Sequence, residues 1–171
     1  MEDIKKFIRD VPDFPKQGIL FKDITPLLQD APAFRKVIAH FIARYKDKPI
    51  DRIAGVESRG FIFGAALAHA LNKSFILVRK TGKLPWKKVS MTYDLEYGTD
   101  TIQMHEDAVH PGERILLVDD LLATGGTAGA ACQLIGKMGG TVVECAFVVE
   151  LEFLKGREKL KNAEVFSLVK Y

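Results

Sequence analysis

The residues best suited to chemistry lie in one short segment that joins carboxylates to glycines. Residues 115–118 are four consecutive aliphatic residues, Asp119 and Asp120 follow them, and a turn rich in glycine and threonine occupies residues 123–127. This pattern predicts a buried strand, a turn and then a helix, whose free N–H groups can bind an anion. Paired carboxylates beside such a turn suit hydroxyl groups or a metal ion. The segment therefore predicts a site for a sugar phosphate.

Two common phosphate-binding motifs do not fit this segment. Residues 125–129 read Gly-Gly-Thr-Ala-Gly, which lacks the glycine spacing of a dinucleotide-binding loop, and no Gly-Lys-Ser/Thr follows as in a Walker loop. A plain strand-to-helix turn capped by Thr127 is the structural alternative. Because Asp119 and Asp120 directly precede the turn, we favour phosphate binding.

The composition indicates one globular domain. A chain of 171 residues with 47% hydrophobic and 27% charged residues is long enough for a proper core. The net charge of +3 requires no nucleic acid and suits a small anionic substrate. Cys132 and Cys145 have neither metal-ligand spacing nor a nearby histidine and are predicted to be buried free thiols.

Targeting and membrane segments are not expected. Four of the first six residues are charged, no apolar signal region follows them, and no apolar run approaches about 18 residues. We therefore expect a cytoplasmic enzyme with no membrane association.

The hydrophobic pattern alternates between strands and helices. Strands are predicted at residues 50–56, 75–78, 115–118, 141–151 and 165–169, and helices at residues 34–45, 61–71 and from the glycine turn to about 138. Repeated strand–helix–strand units predict an α/β fold with a mostly parallel twisted sheet flanked by helices. Loops 57–60, 79–83 and 119–127 should then share the carboxyl edge, where ligands bind.

Two segments depart from this alternation. Between residues 80 and 110, Met91, Tyr93, Leu95 and Tyr97 alternate with polar residues before a turn at 98–100, which predicts a two-stranded hairpin outside the main sheet. We interpret residues 81–110 as a flexible lid over the site. Residues 1–30 are interpreted as an N-terminal helix and an irregular cap within a single domain of residues 1–171.

Several motifs together resemble the type I phosphoribosyltransferase family and, more narrowly, its adenine-specific members. The general signature is the segment from Val118 to Thr127. The adenine-specific features occur in order along the chain, at residues 13–15 with Gly18, 21–28, 58–61, 79–80 with 82–85, 95–98 and 155–157. Because these features run from residue 13 to residue 157, the resemblance covers nearly the whole chain.

The resemblance implies a reaction and its participants. Adenine and 5-phosphoribosyl-1-pyrophosphate would give AMP and pyrophosphate, with Mg²⁺ held mainly through the substrate and no protein ligand assigned to it. Purine salvage in the cytoplasm by a homodimer is the expected setting. The family also implies the type I phosphoribosyltransferase fold and a non-proline cis peptide near Glu57 and Ser58.

The resemblance also implies a role for each candidate residue. The 5-phosphate would be bound by Ala123, Thr124, Gly125, Gly126 and Thr127, and the ribose by Asp119 and Asp120. Pyrophosphate would be bound by Ser58, Arg59, Arg79, Lys80 and Lys83, and the base by Leu20, Phe21 and Lys22. Glu96 in the lid would be the catalytic acid–base residue, with Tyr97 beside it shaping the closed site.

Alternatives exist for the residues and for the function. Phe21 could be a core aromatic, the basic residues a solvated face, and Glu96 an outward side chain of the hairpin. At the level of function, the alternatives are a phosphoribosyltransferase for another purine and a regulator that senses phosphoribosyl pyrophosphate without catalysis. The cap at residues 13–28 argues against the first, and the chain has no spare length for the DNA-binding module that such regulators add.

Overall fold

The protein is described here by a computed structural model, which covers residues 2–94 and 98–171. In chain order it begins with α1 (Glu2–Lys5), β1 (Arg9–Pro12), β2 (Leu20–Asp23), α2 (Thr25–Gln29), α3 (Ala31–Tyr45), β3 (Arg52–Val56), α4 (Gly60–Ala70) and β4 (Ser74–Lys80). It continues with β5 (Lys88–Asp94), β6 (Thr99–His105), β7 (Arg114–Leu122), α5 (Gly126–Lys137), β8 (Thr141–Glu150), two short 3₁₀ helices (Glu152–Leu154 and Gly156–Lys159) and β9 (Glu164–Lys170).

A seven-stranded sheet forms the centre of the molecule. Its strand order is β5-β6-β4-β3-β7-β8-β9. The five strands from β4 to β9 in that order pair in parallel, while β5 and β6 are antiparallel. This architecture confirms the predicted α/β fold. The parallel order places the ends of β3, β4 and β7 at one edge.

Two hydrophobic layers cover the two faces of this sheet. Along β7, Leu116 and Val118 pack with residues of α3 and α4, whereas Ile115 and Leu117 pack with residues of α5 on the other face. Successive strand residues point to opposite faces, so both layers draw on one continuous apolar run. Burial on both sides explains why four aliphatic residues occur consecutively.

The hairpin of β5 and β6 is joined to the main sheet, and the prediction that it lies outside was wrong. Strands β5 and β6 pair along their length, and β6 also pairs with β4 at Gln103–Arg79 and Ile102–Lys80. Ile102 and Met104 are almost completely buried. Burial of these apolar side chains gives β6 a reason to extend the sheet.

The first residues of two predicted loops belong to the ends of strands. Arg79 and Lys80 end β4, and Asp119 and Asp120 lie inside β7, which continues to Leu122. The strand continues because Leu121 and Leu122 still pair with β8. Charged side chains near the ends of β4 and β7 interrupt the hydrophobic pattern in the sequence, although the backbone still pairs with the neighbouring strands there.

The N-terminal segment is more regular than expected. Strands β1 and β2 form an antiparallel ribbon, and α2 and α3 follow it. Asp30 caps α3 by accepting a hydrogen bond from the Ala33 N–H at 2.8 Å. In the described part of the chain, no helix is both long and apolar enough to cross a membrane.

The two cysteines are free thiols that approach each other across the α5–β8 interface. Cys132 Sγ lies 3.5 Å from Cys145 Sγ. Cys145 is buried as predicted, whereas Cys132 is only half-buried because its part of α5 borders a surface cavity.

Candidate active site

The carboxyl edge of the sheet encloses a polar cavity of about 360 Å³. Residues from the ends of β3, β4 and β7 and from the start of α5 surround it. Its lining comprises Val56, Glu57, Ser58, Arg59, Lys80, Asp119, Asp120, Leu121 and Thr127. Residues that are up to 71 positions apart in the sequence, Val56 and Thr127, therefore meet because parallel strands end together.

The glycine turn lies beside this cavity and encloses a smaller one of about 90 Å³. That smaller cavity is lined by Asp119 and residues 121–128, which include all five residues predicted to bind the 5-phosphate. Helix α5 starts at Gly126, and its first internal bond runs from the Gly129 N–H to the Gly125 oxygen. The N–H groups that precede Gly129 have no hydrogen-bond partners within the helix and can donate hydrogen bonds to an anion.

Gly125 must be glycine for two reasons. Its φ of 77° lies in the left-handed region, which disfavours a side chain. A Cβ at this position would also clash with the backbone oxygen of Gly156. The turn is thus built against the chain at Gly156, one of the residues of the adenine-specific motif at 155–157.

Arg157 holds the segment that contains Gly156 in place. Its guanidinium donates to both carboxylate oxygens of Glu150, at 2.5 and 2.7 Å, and to the Val165 oxygen at 2.9 Å. Burial would raise the pKa of Glu150, but the hydrogen bonds and the charge of Arg157 outweigh it and lower that pKa. This supporting role of Gly156 and Arg157 was missed from sequence, although their motif was recognised.

The paired aspartates differ in environment. Asp120 is 5% exposed and accepts a hydrogen bond from Arg59 Nε at 2.5 Å. Asp119 is partly exposed, lines both cavities and accepts from the Asp120 N–H at 2.9 Å. Burial of its carboxyl group and the neighbouring charge of Asp120 raise the pKa of Asp119 well above its usual value. A ligand that donates hydrogen bonds would relieve this repulsion.

The five residues predicted to bind pyrophosphate divide into two groups. Ser58, Arg59 and Lys80 line the larger cavity, and Arg79 and Lys83 do not. Arg79 donates to Glu57 Oε2 at 3.1 Å and to the Lys83 backbone oxygen at 3.1 Å. Arg79 is therefore committed to supporting the loop in this structure.

Glu57 organises this side of the cavity through its side chain, which was not among the predicted site residues. Its Oε2 accepts from Arg79 Nε and from the Lys80 N–H, the latter at 2.9 Å. The bond between Glu57 and Ser58 is cis, as the resemblance implied. A glutamate after a strand carries no signal by itself, because its partners come from a different strand.

The residues predicted to bind the base lie on β2. Phe21 packs edge-on against Phe14 at 5.1 Å between ring centroids, and the Arg59 guanidinium lies 5.6 Å from its ring. Leu20, which precedes Phe21 on the strand, is 49% exposed. Lys22 does not join this group: its ammonium contacts Asp10 at 2.5 Å and lies over the Tyr171 ring. Alternation along the strand turns Lys22 away from Phe21.

The predicted catalytic residue Glu96 and its neighbour Tyr97 lie outside the described residues. The strand before them reaches the site through Tyr93, whose hydroxyl lies 2.9 Å from Thr127 Oγ1. The hairpin is therefore in contact with the glycine turn. Tyr93 entered the sequence pattern only as an apolar position of the hairpin.

The donor set fits a magnesium ion only if the substrate completes its shell. Among residues 2–94 and 98–171, no three Asp, Glu, His or Cys side chains cluster as metal ligands. Asp119 and Asp120 offer carboxylate oxygens at the cavity, and the third carboxylate in its lining, Glu57, accepts hydrogen bonds from Arg79 and from the Lys80 N–H. Mg²⁺ prefers six oxygens and retains water or phosphate oxygens readily.

Comparison with known proteins identifies the family of this chain. The family model for the phosphoribosyl transferase domain matches residues 27–169. An adenine phosphoribosyltransferase from Syntrophotalea carbinolica is 57% identical over 171 residues, which is the full length of both chains.

Two solved structures have the same fold. The adenine phosphoribosyltransferase from Thermoanaerobacter pseudethanolicus superposes with a TM-score of 0.97 at 50% identity, covering 99% of each chain. The enzyme from Saccharomyces cerevisiae, complexed with an imino-altritol bisphosphate and adenine, has a TM-score of 0.91 at 43% identity and covers 98% of this chain and 97% of its own. The chain therefore belongs to the phosphoribosyltransferase family and, within it, to the adenine phosphoribosyltransferases.

Proposed function

We propose that this chain transfers the phosphoribosyl group of 5-phosphoribosyl-1-pyrophosphate to adenine, giving AMP and pyrophosphate. The observation that carries the proposal is that an anion-binding turn, a carboxylate pair and cationic side chains line adjoining cavities at one sheet edge. A phosphorylated sugar with a second, charged leaving group has this distribution of charge and hydroxyls. Full-length identity to adenine phosphoribosyltransferases supports adenine as the base.

The two cavities suggest where each part of the donor lies. The 5-phosphate fits the small cavity, where the N–H groups at the start of α5 and the hydroxyls of Thr124 and Thr127 can donate to it. The ribose hydroxyls then face Asp119 and Asp120, which accept hydrogen bonds. Ser58, Arg59 and Lys80 remain at the other end of the larger cavity for pyrophosphate.

Bond breaking at C1 of the ribose places negative charge on the leaving pyrophosphate. Cations positioned there stabilise that charge as it develops. Arg59 is paired with Asp120 in the free protein, so substrate binding exchanges one anionic partner of the guanidinium for another. When bound, Mg²⁺ would neutralise further charge on the pyrophosphate oxygens.

The base completes the reaction from the cap side. An imidazole nitrogen of adenine attacks C1 as the C1–O bond opens, and that nitrogen loses its proton overall. Phe21 offers an aromatic face for the purine beside Arg59. Glu96 of the lid is proposed to exchange the proton, which a carboxylate within reach of the base can do.

The setting of this activity is part of the proposal. We infer a magnesium-dependent enzyme of purine salvage that acts in the cytoplasm as a homodimer, with residues 1–30 as base-binding cap and residues 81–110 as lid.

Parallel assays test the proposal. The protein is incubated with the pyrophosphate donor, Mg²⁺ and either adenine, hypoxanthine, guanine or xanthine, and nucleotides are separated by chromatography. AMP formed from adenine alone, lost with EDTA and restored by Mg²⁺, is expected. A different nucleotide would indicate another purine, and no nucleotide at all would leave a sensor of the donor.

A further inference from the structure

The hydroxyl of Tyr93 stands between the lid hairpin and the phosphate turn. It lies 2.9 Å from Thr127 Oγ1 on α5 and 3.3 Å from Asp100 Oδ2 on β6. The ring packs on the turn itself, since a Cβ built on Gly126 would be 3.3 Å from a ring carbon of Tyr93. No other residue type could fill this place with both an aromatic face and a hydroxyl donor.

One proton on Tyr93 has two possible acceptors. The phenol can donate to only one of Asp100 and Thr127 at a time. Asp100 is ionised at neutral pH: burial would raise its pKa, but the Thr101 N–H and the Lys80 ammonium outweigh burial and lower it. Burial raises the pKa of Tyr93, so the phenol keeps its proton.

The direction of these bonds must depend on what occupies the turn. If Tyr93 donates to Asp100, the contact with Thr127 requires Thr127 to donate to Tyr93, which uses the only hydroxyl proton of Thr127. A phosphate in the turn offers acceptors alone and needs that proton. Asp100 can release Tyr93, because it keeps the Thr101 N–H at 2.8 Å and Lys80 at 3.2 Å.

We propose that Tyr93 is a positioning residue for the 5-phosphate: it donates its proton to Thr127 when the turn is occupied, so that the Thr127 hydroxyl points its own proton at the phosphate. Asp100 accepts the Tyr93 proton when the turn is empty. The inference rests on the proposed 5-phosphate site and adds the hairpin as the part that sets the polarity of its threonine.

Binding of two probes separates this role from general support of the fold. Ribose 5-phosphate reports on the turn, and pyrophosphate with Mg²⁺ reports on the other end of the cavity, both by titration calorimetry. Tyr93→Phe keeps the ring on Gly126 and removes only the hydroxyl. This variant is expected to weaken the binding of ribose 5-phosphate by about 5- to 10-fold, the effect of one hydrogen bond, and to leave the binding of pyrophosphate unchanged.

Three further variants sharpen the test. Thr127→Val should weaken ribose 5-phosphate similarly, and Tyr93→Phe should add little to Thr127→Val because both act through one hydroxyl. Asp100→Asn removes the competing carboxylate and should tighten ribose 5-phosphate about 2-fold. Thr92→Val is the matched control. It deletes an exposed hydroxyl on the opposite face of β5 from Tyr93, which is hydrogen-bonded to the Thr101 hydroxyl of β6, and the variant should bind both probes like the wild type.

The outcomes discriminate between this inference and the site on which it rests. Additive effects of Tyr93→Phe and Thr127→Val, equal weakening of both probes, or weaker ribose 5-phosphate binding in Asp100→Asn would overturn the role of Tyr93. A Thr127→Val protein that binds ribose 5-phosphate normally would overturn the phosphate site itself, and the inference with it.

Discussion

Gly125 is the residue on which the phosphate turn depends most directly. Its left-handed backbone and its contact with Gly156 leave no room for a methyl group. Other residues of the turn contribute hydroxyls or N–H groups, whereas Gly125 allows the chain to take the path that presents them. The consequence is a sharp contrast between two glycines of the same helix region.

Gly125→Ala should abolish most activity, whereas Gly136→Ala should be harmless. The left-handed conformation alone costs an alanine about 1–2 kcal/mol, and the clash with Gly156 adds to it. Gly136 lies within α5 with no atom near its Cβ position, so alanine there should stabilise the helix by about 0.5–1 kcal/mol. Thermal unfolding and turnover of both variants measure the contrast. Equal behaviour of the two variants would contradict this account of the turn.

Asp119 should make the free protein less stable as pH rises. Because its folded pKa is raised by burial and by Asp120, folding takes up a proton, and stability falls from about pH 4 upward through the folded pKa. Asp119→Asn removes this loss and should raise Tm at pH 7 by roughly 2–4 °C, the effect of about 1 kcal/mol in a chain of this size. Donor binding should weaken at the same time.

The exposed Asp47 provides the control for that measurement, since its side chain is 88% exposed. Asp47→Asn should change neither Tm nor its dependence on pH. If Asp119→Asn has the same pH–Tm curve as the wild type, the proposed repulsion between the two aspartates is wrong.

Glu96 is expected to act in the chemical step. Glu96→Gln keeps the size of the side chain and removes its proton-accepting group, so kcat should fall by about 10²- to 10⁴-fold while the KM for adenine changes little. Steady-state kinetics with saturating donor provide the measurement. Unchanged turnover would remove Glu96 from the mechanism.

The segment behind the turn is held by an ion pair that differs from the surface pairs. Glu150 is 3% exposed, and Arg157 contacts both of its oxygens. Lys170 and Glu152 form an ion pair as well, but both side chains are about half exposed. Pairs of these two kinds contribute very differently to stability.

Arg157→Met should destabilise the protein by about 2–3 kcal/mol at pH 7, because it leaves a buried carboxylate unpaired. Because the folded pKa of Glu150 is lowered, the stability that the ion pair contributes is present at pH values above the pKa of Glu150 in the unfolded chain. That stability is lost as the pH falls through the folded pKa. The difference from wild type should therefore shrink below about pH 4. Lys170→Met, at the exposed pair, should change stability by less than about 0.5 kcal/mol. Urea unfolding at several pH values tests both variants.

The elements were predictable where hydrophobic periodicity reports them. Helix α3, strands β3, β8 and β9, and the strand–turn–helix around Gly125 follow from local pattern. The pairing of β6 with β4 could not be predicted in the same way. Arg79 and Lys80 end the apolar signal of β4, and their partners lie more than 20 residues further along the chain.

The same limit applies to the site residues. Asp119, Asp120 and the glycine turn were identified because strand, carboxylates and glycines are contiguous in sequence. The division of the basic residues, with Lys80 in the cavity and Arg79 held by Glu57, depends on contacts between separate strands. The orientation of Lys22 toward Asp10 likewise depends on which face of β2 meets the C-terminal Tyr171.

Taken as a whole, the molecule uses its parallel sheet to gather distant residues at one edge. Strands β3, β4 and β7 end beside each other, and the hairpin extends the sheet so that Tyr93 reaches the turn at Thr127. The core holds the turn in place, and the residues proposed to bind the leaving group and the base come from the loop after β3, the end of β4 and strand β2. We propose that the turn at residues 123–127 binds the 5-phosphate.

A crystal structure of the protein with AMP tests that claim most directly. We expect the phosphate oxygens within hydrogen-bonding distance of the N–H groups of residues 124–127 and of the Thr127 hydroxyl, with the ribose hydroxyls facing Asp119 and Asp120. AMP bound at another place, with its phosphate away from this turn, would contradict it.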